Sequence, residues 1–94
     1  MHALFIEVDA DESVLDEARR ELPKTVVPMA RSHGAQAGYW LAPQGGRGVS
    51  VTVYDTAEEA QKVASMFTPG QPPPGGMSQV IVRTAEVREV IASL

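Results

Sequence analysis

Residues Ala37 to Phe67 constrain this chain more than any other stretch, because strand, tight turn, strand and capped helix follow one another there without a gap. Tyr39-Trp40-Leu41 is aromatic and apolar, as strands prefer. Gln44-Gly45-Gly46-Arg47-Gly48 then carries more glycine than anything but a turn tolerates. Val49 to Tyr54 alternates strictly, so Val49, Val51 and Val53 share one face and Ser50, Thr52 and Tyr54 the other. Thr56-Ala57-Glu58-Glu59 has the form of a capping box. It opens a helix in which Ala57, Ala60, Val63, Ala64 and Phe67 recur at i, i+3, i+4 spacing.

Upstream, Ala3 to Asp9 reads as a first strand, with Leu4, Ile6 and Val8 on one face and Phe5 and Glu7 on the other. Asp9 or Asp11 is placed to cap the helix that follows, and Val14, Leu15, Ala18 and Leu22 form its apolar stripe, with Asp16 and Arg20 paired at i, i+4. Pro23 and Pro28 interrupt it. An interior proline costs a helix about 3 kcal/mol, so the expectation is two consecutive helices, the second starting near Pro23, kinked at Pro28 and ended by Gly34. Downstream, Thr68 to Gly76 is a proline- and glycine-rich loop, expected to be a mobile connector or lid. Val80 to Arg83 reads as strand, whereas 84–94 fits a helical stripe as well as a strand with one phase slip.

Ninety-four residues make one domain, 1–94, with a single core. A net charge of −4 and scattered basic residues argue against a nucleic-acid binder. No apolar run approaches the roughly 20 residues that span a bilayer, and the N-terminus has no basic flank of a signal peptide. The absence of cysteine removes disulfides and thiolate chemistry together. These features predict a cytoplasmic protein with neither nucleic-acid nor membrane partners.

The element order is βαββαβ, an α+β, ferredoxin-like pattern with an antiparallel four-stranded sheet and both helical segments on one face. The rows Leu4/Ile6/Val8 and Val49/Val51/Val53 suit the covered face. Phe5, Glu7, Ser50, Thr52 and Tyr54 then lie on the open face, a surface suited to a second copy of the chain. Val26-Val27-Pro28-Met29-Ala30-Arg31-Ser32-His33-Gly34 followed by Gly38-Tyr39-Trp40-Leu41 resembles the helix end and second strand of dimeric α+β barrel proteins, the group that contains antibiotic-biosynthesis monooxygenases. Gly48 to Ala64 is similar to their third strand and following helix. Ala85 to Ile91 is similar to their last strand, which favours strand for the tail. The resemblance implies a homodimer joined through the open sheet face. It also implies a cofactor-free monooxygenase-like enzyme, or an isomerase, acting on a small apolar or polyketide-like aromatic molecule. The alternative is a non-catalytic homodimer that binds a small apolar ligand or serves a structural or regulatory role.

His33, Trp40 and Tyr54 are the candidate catalytic residues. His33 could act as a base at the mouth of a cavity, or serve only as a helix C-terminal histidine favoured by the dipole. Trp40 could stack on a flat substrate; because it and Tyr39 point to opposite faces, at most one lines a given pocket. Glu7 needs a partner on its strand, for which Arg47 and Arg83 are candidates. His2 with Glu7 or Asp9 lacks the third ligand of a metal site, and Gly45-Gly46-Arg47-Gly48 lacks the Lys-Ser/Thr of a phosphate loop. Pro69 to Pro72 matches P-x-x-P but lacks the flanking basic residues of an SH3 ligand. No metal, flavin or nicotinamide signature is present, so no cofactor is implied.

Overall fold

The computed structural model describes residues 1–94. The chain forms β1 (His2–Asp9), a 3-10 turn (Glu12–Val14), α1 (Leu15–Ser32), β2 (Ala37–Gln44), β3 (Arg47–Tyr54), α2 (Ala57–Ala64) and β4 (Ile81–Glu89). The strands make one sheet in the order β2-β3-β1-β4, every neighbouring pair antiparallel. This is an α+β fold compatible with the ferredoxin-like pattern. No helix is long and apolar enough to cross a membrane.

The register corrects the assignment of faces. Leu4 stands opposite Thr52 and Ile6 opposite Ser50, while Phe5 stands opposite Val51 and Glu7 opposite Val49. Directly opposed residues share a face, so Ser50, Thr52 and Tyr54 lie beneath the helices and the three valines lie on the open face. Alternation defines two rows but not which row turns inward, and a one-residue change of register exchanges them. Tyr54 decides the matter energetically: its ring is fully buried in a core with Leu4, Ile6, Ala60, Val63 and Val82.

The β2–β3 turn is built on Gly45 and Gly46, both at positive φ (61° and 79°), as a two-residue hairpin with primed-turn geometry requires. Thr56 caps α2: its Oγ1 accepts from the Glu59 N–H at 3.1 Å and donates to Glu59 Oε1 at 3.3 Å. Asp11 caps the 3-10 turn by accepting from the Ser13 N–H at 2.8 Å. That bond to Ser13 holds the Asp11 carboxyl below its ordinary pKa.

α1 is one helix, not two, and runs through both Pro23 and Pro28. Each proline deprives a carbonyl four residues earlier, of Arg19 and of Lys24, of its N–H partner. All four residues are exposed, so water replaces the missing donors. The Asp16 pairing also differs: its carboxylate meets Arg19 at 3.7 Å rather than Arg20. The helix ends in a Schellman motif, with Ala35 N–H donating to Ala30 O, Gly34 N–H donating to Arg31 O, and Gly34 at φ 100°.

β4 stops at Glu89, so 90–94 is not strand as expected. Glu89 stands opposite His2, the first residue of β1, and the next N–H, of Val90, donates to Met1 O. The loop after α2 is also less free than its composition suggests. Gly70 N–H donates to Val82 O at 2.8 Å and Val82 N–H donates to Gln71 O at 2.9 Å, so backbone bonds supply the anchor that apolar side chains do not.

Candidate functional site

Of the 94 residues only 10 are buried, and none belongs to α1. The apolar stripe of this helix does not press onto the sheet; it roofs a cavity of about 140 Å³. The floor explains the gap. Gly48, Ser50 and Thr52 are the β3 residues beneath α1, and they are too short to reach it. Gly48 is also crowded on its β1 side, where a Cβ would stand 3.0 Å from Val8 Cγ2. One wall is Trp40, its ring lying against Gly38. The segment 73–77 closes a further side through Pro73, Pro74 and Met77, and Gly75 packs beside the Met29 thioether.

His33, Trp40 and Tyr54 all line this cavity, although they come from three separate elements. Their situations differ. The His33 ring is exposed, and its Nδ1 donates to the Met29 carbonyl at 2.8 Å, which leaves Nε2 free in the neutral ring. Trp40 is half-buried and presents a flat apolar wall. Tyr54 is a structural part of the inner wall: its hydroxyl is buried, has no hydrogen-bond partner and is sealed from the cavity. Burial pushes the Tyr54 pKa up, and the Thr52 hydroxyl opposes this without reaching hydrogen-bond geometry. No hydrogen bond joins any two of the three.

No Asp, Glu, Lys or Arg lines the cavity. A charged ligand would therefore lose its hydration there without compensation, whereas an uncharged apolar one would gain. Sequence reasoning missed the contributions of Met29, Met66 and Met77, which line the cavity from three segments. The available signal was a mismatch, a long apolar stripe facing a strand row of glycine and hydroxyl residues.

The charged residues gather on the open face instead. Arg47 reaches Glu7 and Asp9 at 3.4 Å each, and Arg83 reaches the same two carboxylates at 3.5 and 3.3 Å. Glu7 thus has both expected partners, and the quartet ties β3, β1 and β4 together. His2 lies on the other face, opposite Tyr54, and no group of three or more metal-ligating side chains is present. Comparison with protein-family models, curated proteins and solved structures finds no match to this chain.

Proposed function

We propose that the protein binds a small, uncharged apolar molecule between α1 and the sheet, as a homodimer whose open sheet faces pack together in the manner of the dimeric α+β barrels its sequence resembles. The observation that carries the binding reading is α1, an 18-residue helix with an apolar stripe and no buried residue. Removing apolar surface from water contributes roughly 25 cal/mol per Å², so a ligand that fills the gap recovers what the sheet does not supply. Trp40, the single tryptophan, stands in the cavity wall and reports occupancy. The test combines native mass spectrometry of the purified protein with titration of Trp40 emission by octanol and by naphthalene. A co-purified mass or a saturable change with either probe supports the reading. The absence of both overturns it.

A catalytic reading is favoured by the flat face of Trp40 and the free Nε2 of His33 at the same cavity. In it, His33 removes a proton from an activated methylene of a bound aromatic, and the carbanion reduces dioxygen. The methylene carbon becomes a carbonyl: one atom of dioxygen stays on it, and the other leaves as water with the two methylene hydrogens. The substrate supplies all the electrons that dioxygen takes up, so the balance needs no cofactor. Oxygen uptake with a ring-activated methylene compound should exceed the buffer rate and fall to it in His33→Gln. Uptake by the wild type at the buffer rate sinks this reading.

A further inference from the structure

The cavity is long rather than round. From Val14 at the end of the 3-10 turn, its lining is met once per turn of α1, at Ala18, Leu22, Val26 and Met29, before it reaches His33. On β3 its accessible floor runs from Gly48 to Thr52, since Tyr54 is fully buried, and at the rise of a strand that is about 13 Å. A volume of about 140 Å³ drawn out over that length leaves a bore of about 6.5 Å once the radius of a water is added on each side. That bore fits a methylene chain and is narrow for a fused ring. Met29, Met66 and Met77 stand along it, and unbranched thioether side chains adapt readily to a flexible chain.

The two ends differ in chemistry. The Ala10–Val14 end is apolar. At the other end His33, Val63 and Met66 are shared with a shallow polar depression that contains Ser32, Glu59, Lys62 and Ser65. We infer that the ligand is a straight-chain amphiphile, its aliphatic chain lying along α1 and its small polar head resting in the depression beside His33 and Lys62. This rests on the binding reading above: the uncharged chain fills the apolar cavity, and the head lies outside it in the depression, where a charge keeps its contact with water. A carboxylate head is met by Lys62, and a hydroxyl head by Nε2 of His33.

The test titrates Trp40 emission with hexanoate, decanoate and hexadecanoate, with the matching alcohols, and with naphthalene, all below their micelle thresholds. Affinity is expected to rise about fourfold per methylene until the groove is full, and naphthalene to bind more weakly than decanoate or decanol. The carboxylate and alcohol arms identify the head. Ala18→Phe places a ring across the distal part of the groove, so it should weaken hexadecanoate and leave hexanoate unchanged. Its melting temperature should hold or rise, because the site it fills is unpacked. A flat chain-length series with tight naphthalene binding overturns the chain assignment and leaves the apolar-ligand reading standing. A rising series that Ala18→Phe does not shorten overturns the placement along α1. No response to any probe overturns both.

Discussion

The indole of Trp40 lies back over its own strand onto Gly38: a Cβ on Gly38 would stand 3.2 Å from Cη2 and Cζ3 of the ring and 3.0 Å from Cγ2 of Thr52. The glycine is required by close approach, since its φ is not positive. Gly38→Ala should push the ring toward the cavity, shift the Trp40 emission maximum and cost about 1–3 kcal/mol by overpacking. Unchanged emission and an unchanged melt would mean that the ring does not rest there.

Tyr54→Phe deletes a buried hydroxyl that has no partner while keeping the ring that fills the core. Stability in urea should hold or rise, by up to about 1 kcal/mol. The pH dependence gives an independent check. The folded-state pKa is raised above the ordinary 10.0, so above that pH the unfolded chain releases its proton first and stability falls as pH rises. Tyr54→Phe should flatten that alkaline loss. A variant that loses stability at neutral pH would show that the hydroxyl does have a partner.

Pro28 is exposed and sits inside a continuous helix. Pro28→Ala restores an N–H for the Lys24 carbonyl and removes the ring clash, at the expense of a more flexible unfolded chain. The net expectation is a gain of about 2 kcal/mol, read by thermal melting. A loss would mean that the proline sets a bend the cavity needs.

The open face carries Phe5 opposite Val51, with Tyr39 and Leu41 at 69% and 58% exposure on the neighbouring edge strand. The Arg88 guanidinium stands 5.7 Å over the Phe5 ring. If a second copy covers this face, Phe5→Glu places like charges across the two-fold and shifts the protein to one chain. Sedimentation equilibrium decides. A wild-type mass of a single chain at micromolar concentration removes the dimer.

Local chemistry was legible in the sequence. The Gly45-Gly46 turn, the Thr56 cap, the Gly34 terminator and the strand and helix order all follow from residues near one another in the chain, because turns, caps and periodicity are decided within a few residues. His33, Trp40 and Tyr54, named from the sequence as candidates, are brought to one cavity by packing. What depended on distant residues was not legible. The inward row of β3 is set by its register against β1, which alternation cannot reveal, and so Tyr54 lies in the core rather than on the open face. The continuity of α1 through two prolines depends on whether the freed carbonyls meet water, which is a property of the helix's position over the sheet. The cavity itself exists because the α1 stripe faces Gly48, Ser50 and Thr52, a glycine and two short side chains from a segment that begins beyond the end of that helix. Only packing brings those two rows together, and only packing leaves them apart.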